Sequence, residues 1–354
     1  MLLGIGTAIA GLEIVARLLP VDSLPGSVPT VVKAMRLHAD TFYRRDPYFR
    51  YITAANLDFL VEHADFTYRV KTKLNVGESG FRGGTLGGPV WGVAVGDSFT
   101  FGMGVEHEAT WVARLTNLAR REIINLSVPG WGPQQYTRAV ERYGTSLSPK
   151  IFFYGIYSND FEDVLLFDQW IRDPAYKQAL ESFLRTNSVA FNLWRLSGTN
   201  SNGGVEDIHL SGLDVKFNSQ RLKTVLNNQR SNFASAWSLT KREIELAMDY
   251  SQRAAATFVL LYLPSKEEAY WNLIKEKEIS LKSFDDGTEI FRTHILEFCK
   301  TRQIACLDLT LALRTRAAQG VKLYFPHDAH WTEAGNRIVA EEIFGFLVRN
   351  QILH

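Results

Sequence analysis

From about residue 89 onward the chain alternates short apolar runs with amphipathic stretches. Residues 90–95 form a short apolar run ending in glycine, the pattern of a strand buried on both faces of a parallel sheet. Residues 123–128, 151–157, 257–263 and 304–307 repeat that pattern. Between them lie stretches of helical period, at 108–122 with Trp111, Leu115 and Leu118 on one face, and at 133–146, 238–255, 288–301 and 332–349. Strands alternating with helices predict an α/β protein, with a five-stranded, mostly parallel sheet between two layers of helices. Strands three and four are separated by about 100 residues. Within this gap, 173–185 and 187–196 read as helices, Thr199–Gly204 as a polar loop, and the alternation over 208–217 as a hairpin. The reading is an insertion at about 161–237, serving either as a lid beside a site at the carboxyl ends of the strands or as a structural decoration.

The first 88 residues follow a different pattern. Residues 1–19 are mainly apolar, with a first charge at Glu13 that sits i,i+4 to Arg17. A bilayer span needs about 20 such residues, so 1–20 reads as a hydrophobic helix, either a membrane anchor or an amphipathic helix packed on the domain. Residues 21–88 carry scattered prolines, the alternation of Phe66 to Lys71 and six glycines between Gly77 and Gly88, which suggests a linker and a small β-rich preface. Residues 89–354 form the main domain. With 39 basic and 38 acidic residues the chain lacks the basic excess of a nucleic-acid binder. Its two cysteines exclude a disulfide scaffold; Cys299 and Cys306 read either as one disulfide or as two small core residues.

Candidate chemistry sits just beyond the strands. Gly96-Asp97-Ser98 follows strand one, where a tight strand-to-helix turn exposes a serine Oγ. Asp97 reads as a structural cap for that turn. Gly130, in Pro129-Gly130-Trp131, closes strand two, and without a Cβ its N–H can approach a ligand oxygen closely. Asn159, in Tyr157-Ser158-Asn159-Asp160, closes strand three and offers an amide donor. His327-Asp328-Ala329-His330-Trp331 precedes the last helix, which opens at Trp331 or Thr332; a histidine beside an aspartate is an oriented general base. Two histidines three apart in a loop, without a further His/Cys cluster, do not make a zinc site, and no metal is expected. Each block alone is also an ordinary turn. In a doubly wound sheet, however, all four share the carboxyl edge.

Together the blocks resemble the SGNH, or GDSL-type, serine hydrolases over about residues 89–350, the insertion excepted. The resemblance implies a flavodoxin-like sheet, Ser98 as nucleophile, Ser98, Gly130 and Asn159 as oxyanion donors, and Asp328 and His330 completing a triad without cofactor. It departs from the family pattern twice. The glycine position of the third block is Tyr157, which is expected to narrow the pocket or shift the Asn159 loop. The final aspartate stands two rather than three before the histidine, leaving His327 at the usual place as a second candidate. The form Asp-x-His-Trp looks like a membrane-associated branch that includes polysaccharide O-acetylation proteins, as do Ser79-Gly80-Phe81-Arg82, Leu263-Pro264-Ser265-Lys266 and the N-terminal helix. Phe99, Trp131, Tyr157 and Trp331 are expected at the pocket rim, or else in the core. The expected activity is a serine esterase acting on acylated carbohydrate or lipid. The alternatives are an O-acyltransferase with the same triad and a non-catalytic carbohydrate-binding or assembly protein. The expected location is the extracytoplasmic side of a membrane, associated through residues 1–19, with a soluble cytoplasmic protein as the alternative.

Overall fold

The structure is a computed structural model that describes residues 42–76, 79–83, 90–173, 208–217, 222, 232–277 and 290–353. The expected hydrophobic helix at 1–20, the helices at 173–185 and 187–196, and Thr199–Gly204 lie outside these residues. Among the described residues, no helix is long and apolar enough to cross a membrane.

The preface consists of three antiparallel pairs: β1 (Tyr43–Asp46) with β2 (Arg50–Thr53), β3 (Asp58–Glu62) with β4 (Thr67–Lys71), and β5 (Leu74–Val76) with β6 (Ser79–Phe81). The burial of β4 alternates, with Tyr68 and Val70 inside, as the period of two in its sequence requires.

The main sheet takes β7 (Gly92–Val95), β8 (Ile123–Asn125), β9 (Ile151–Tyr157), β12 (Thr257–Leu263) and β13 (Ala305–Asp308). All its pairings are parallel and its order is β13-β12-β9-β7-β8. In order of appearance this is 2-1-3-4-5, the flavodoxin-like order, which reverses direction between β7 and β9. Both faces are covered. Ile151, Phe153 and Tyr157 of β9 point into one core with Val259, Leu261 and Leu263 of β12. That core is closed by α2 (Trp111–Ala119), α9 (Thr310–Ala318) and α10 (Glu333–Arg349). Phe152, Tyr154 and Ile156 point the other way with Leu260 and Tyr262. They pack against α3 (Pro133–Ala139), α5 (Phe233–Arg253) and α8 (Ile290–Arg302).

α3 ends earlier than its expected boundary, continuing as a wide turn over Val140–Gly144 and a 3-10 turn over Thr145–Leu147. The start of the expected insertion is also different. Residues Asp160–Arg172 form a helix, α4, that buries Phe161 and Val164 against the second core and Phe167 beside Trp170. The hairpin read at 208–217 is present as β10 (Ile208–Leu210) and β11 (Val215–Phe217). Cys299 and Cys306 are free thiols in and beside the second core, so the disulfide alternative is not formed.

The preface is wired into the main domain by a buried cation. Arg82, 1% exposed, donates through its guanidinium to the carbonyls of Phe101, Gly102 and Val105. It lies between the rings of Tyr68 and Phe101. These carbonyls end the short helix α1 (Ser98–Phe101) and the turn after it, where a cation offsets unpaired C=O groups. Burial pushes the Arg82 pKa down to about 10, with Tyr68 and Glu106 opposing, and the side chain stays charged at neutral pH. Arg82→Met keeps the bulk but orphans these carbonyls. It is expected to lower unfolding free energy by about 3 kcal/mol, read as a shift in urea midpoint at unchanged m-value.

Candidate active site

The strand order alone brings the candidate segments together. β7 lies between β8 and β9, so the turns carrying Ser98, Gly130 and Asn159 are neighbours at one edge, at the switch point of the sheet.

Asp97 is the N-cap of α1 and accepts the Phe99 N–H at 2.9 Å. Capping starts the helix immediately after β7 and sets Ser98 at its first position, where the backbone N–H has no intrahelical acceptor. α1 lasts one turn and closes at Gly102, in the left-handed region at φ 82°. Asn125, at the end of β8, donates to the Thr100 carbonyl at 2.7 Å, pinning the second turn to α1. Gly130 adopts φ 77° and is exposed. A Cβ there would lie 2.6 Å from the Tyr51 hydroxyl, which donates to the Gly130 carbonyl at 2.5 Å. Asn159 caps the start of α4, half-buried, and its amide donates to Asp163 Oδ2 at 2.9 Å.

The final block is where the expected pair meets the serine. His330 Nε2 lies 2.7 Å from Ser98 Oγ, and His330 Nδ1 lies 2.6 Å from Asp328 Oδ1. The same Asp328 oxygen accepts the His330 backbone N–H at 2.8 Å. Burial acts to raise the Asp328 pKa, but the His330 charge and its two hydrogen bonds outweigh this and hold it at about 2. An ionised carboxylate only accepts, so Nδ1 carries the proton and Nε2 is left to accept from the Ser98 hydroxyl. His327 is exposed, and its backbone N–H is bound by Asp65 at 2.7 Å. Thr332, one of the two residues expected to open α10, is its N-cap.

The four aromatic residues expected at a rim are packed inside: Phe99, Trp131, Tyr157 and Trp331 are each no more than 5% exposed. Phe99 stacks on Tyr157 at 4.0 Å and meets Trp331 edge-on at 4.9 Å. Its other neighbour is the His330 ring, 4.9 Å away, so this stack forms a backing for the imidazole. Tyr157 therefore does not narrow a pocket. Its ring follows the inward parity of β9, and its backbone N–H donates to Asp160 at 2.9 Å. Trp131 stacks on Phe49 at 4.8 Å, and its indole N–H donates to the Tyr51 carbonyl.

Among the described residues no group of three or more His, Cys, Asp or Glu side chains is placed to hold a metal. Two buried carboxyls, Asp97 and Asp160, and the half-buried Asp163 instead lie beside the site. Burial raises Asp97 to about 6, opposed by the Phe99 N–H and the charge of His330. Burial, and then the charge of Asp97, hold Asp160 and Asp163 well above the usual range. Asp163, Asn125, Tyr51 and Arg82 were not read as site residues from the sequence. Only Asp163 had a local signal, standing four residues after Asn159 on what proves to be a helix.

Residues 223–353 match the family described as SGNH hydrolase-like domain, acetyltransferase AlgX. The matched span holds β12, β13 and the Asp328–His330 loop, while Ser98, Gly130 and Asn159 precede it. No curated protein matches the chain in sequence. Among solved structures it is similar to a G-D-S-L family lipolytic protein from Desulfitobacterium hafniense DCB-2, at 16% identity over 73% of this chain and 99% of that one, TM-score 0.40. It is also similar to TesA, at 12% identity, 72% and 97% coverage and TM-score 0.40. A third is the acetyl xylan esterase AlAXEase, at 12% identity, 72% and 98% coverage and TM-score 0.40.

The folded-state pKa of Asp97 lies above its ordinary 3.8, so its contribution to stability is present below 3.8 and lost as pH rises through about 6. Asp97→Asn keeps an acceptor for the Phe99 N–H and removes the ionisation. Denaturant titrations should show the variant gaining about 2 kcal/mol on wild type between pH 4 and pH 7.5.

Proposed function

We propose that the protein is an acyl-transfer enzyme of the SGNH type that cleaves carboxylic esters through an acyl-enzyme on Ser98. The observation that carries this reading is the hydrogen-bonded chain from Asp328 through His330 to Ser98. A hydroxyl is a weak nucleophile at its own pKa, and a base 2.7 Å away with its second nitrogen fixed on a carboxylate removes that obstacle.

In the proposed mechanism, Ser98 Oγ forms a bond to the ester carbonyl carbon while its proton moves to His330 Nε2. The carbonyl oxygen takes up the negative charge and receives the Ser98 and Gly130 backbone N–H groups and the Asn159 amide. Asp328 stabilises the imidazolium without accepting its proton. When the tetrahedral intermediate collapses, the C–O bond to the alcohol breaks, and His330 returns the proton to that oxygen. A second hydroxyl, deprotonated by His330, then attacks the acyl-enzyme and regenerates Ser98.

If the second hydroxyl belongs to water the enzyme is an esterase; if it belongs to an acceptor it is a transferase. The family description of the matched span names an acetyltransferase, which supports the transferase as the second reading. Both readings take an acyl ester of a carbohydrate or a lipid as the substrate class. The apolar run at residues 1–19 supports activity at a membrane, on its extracytoplasmic side.

Intact-mass labelling with a fluorophosphonate tests the nucleophile without the true substrate. One adduct is expected on wild type and none on Ser98→Ala or His330→Ala. A well-folded wild type without an adduct would refute the reading. On an ester that wild type turns over, Asn159→Ala is expected to lose about 100–1000-fold in kcat. A loss below about threefold would remove Asn159 from the oxyanion site. Adding glycan acceptors to the same assay separates the two readings, since a transferase yields acylated glycan in place of free acid.

A further inference from the structure

The loop that carries Asp328 and His330 is gripped by a residue far away in the chain. Asp65, in the turn between β3 and β4, places one oxygen, Oδ2, on two consecutive backbone N–H groups, those of His327 at 2.7 Å and Asp328 at 2.8 Å. Successive N–H groups converging on one anion form a concave site whose geometry fixes the peptide planes between them. The apolar neighbours of this contact agree with it. Phe66, next in the chain, packs on Phe325 at 4.8 Å and is stacked by His63 at 4.6 Å. Phe325 begins the loop, and its backbone N–H donates to the His330 carbonyl at 3.1 Å.

The opposite polarity of the loop is held from elsewhere. Lys266, 4% exposed and just beyond β12, donates its ammonium to the Pro326 carbonyl at 2.8 Å and to the Asp328 carbonyl at 3.4 Å. The Lys216 backbone N–H of β11 also donates to the Pro326 carbonyl, at 3.0 Å. Carbonyls on one side and N–H groups on the other are thus each bound by a side chain of matching charge. The clamp is connected to the serine through the Asp328 carboxylate, which begins at the clamped residue and ends on the His330 ring, and through that ring to Ser98 Oγ.

We propose that Asp65 is a positioning residue for the triad: by holding the His327 and Asp328 amides it fixes the orientation of Asp328, and through it the distance from His330 Nε2 to Ser98 Oγ. This rests on the reading of Ser98, His330 and Asp328 as the reacting group. The preface is then part of the working site, with Asp65 bracing the base and Arg82 bracing the helix of the nucleophile.

The test is the rate of fluorophosphonate labelling of the full chain, combined with residue-resolved amide exchange. Asp65→Ala is expected to label Ser98 about 10- to 100-fold more slowly, the scale set by a displacement of about 1 Å in a reacting group. Exchange of the His327 and Asp328 amides should speed up while the strands of the main sheet stay protected. Asp65→Asn keeps one oxygen able to accept both N–H groups and is expected to label within about threefold of wild type, a rescue that a general loss of stability would not produce. Asp65→Glu, which moves the carboxylate by one methylene, should fall between them. Asp58→Ala, which removes only the exposed pair with Arg69 on the same hairpin, should label like wild type. The proposal is overturned if Asp65→Ala labels like wild type with unchanged amide exchange. It is equally overturned if Asp65→Asn falls as far as Asp65→Ala, since charge and not the hydrogen bonds would then be responsible. A wild type that does not label would refute the reading of Ser98, and the amide exchange would still decide whether Asp65 holds the loop.

Discussion

One carboxylate oxygen organises the site. Asp328 Oδ1 accepts both the backbone N–H and the ring Nδ1–H of His330, two residues later. The spacing of two allows this, because an aspartate side chain reaches the amide two residues on without help from the rest of the fold. The imidazole is therefore oriented relative to its own backbone by a single anchor. The usual spacing of three in SGNH sequences places the aspartate one residue further away. Here the shorter spacing joins the local turn and the catalytic contact, so whatever fixes the peptide planes of residues 326–328 also fixes the ring. It also explains why His327, which stands at the usual place for the acid, is exposed and contributes its backbone to the Asp65 clamp.

The opposite half of the site is organised by burial. The strand order sets β7 between β8 and β9, and the sheet is covered on both faces, so the turns at its edge stand on a rigid base. Within that base lie Asp97, Asp160 and Asp163, whose ionisation burial opposes. In stability terms these three acids are a liability, and an apolar core of the same volume would serve the fold better. Their positions give a reason for their presence. Asp97 caps the helix of the nucleophile, Asp160 accepts the Tyr157 N–H and the Tyr136 hydroxyl, and Asp163 holds the Asn159 amide. Each fixes a turn that carries candidate chemistry, so the site is held in shape at the expense of the fold.

What the sequence showed, and what it hid, follows from the range of the interactions. Residues 151–157 and 257–263 were legible to the residue, because a strand covered on both faces must be apolar along its whole length. Ser98, Asp328 and His330 were legible because each stands directly after a strand or before a helix. α4 was not read as a helix from the sequence: its many acidic side chains hide the apolar positions Phe161, Val164 and Phe167. For the aromatic residues beside the serine, rim and core both stayed open for a different reason. An aromatic next to a catalytic residue has the same local signature whether it lines a cleft or backs a ring. For Tyr157 the parity of β9 favoured the second, since it shares a face with Ile151 and Phe153. Arg82 was read only as part of Ser79-Gly80-Phe81-Arg82, with no sign of its carbonyl partners, and Asp65 had no local signal, for its partners stand far along the chain and an aspartate in a hairpin turn reads as turn chemistry.

With the rings facing inward, the choice between water and an acceptor hydroxyl needs another physical basis. Under the proposed mechanism Ser98, His330 and Asp328 do not discriminate, because His330 would activate either one by the same proton transfer. Discrimination comes from what shields the acyl-enzyme from bulk water. Among the described residues, the preface is the element that touches both sides of the site: Tyr51 binds the Gly130 carbonyl beside the second block, and Asp65 binds the loop of the base. An element with contacts on both loops ties their positions to one another. A segment that reads as a linker in composition therefore holds, in the structure, two of the loops that flank Ser98.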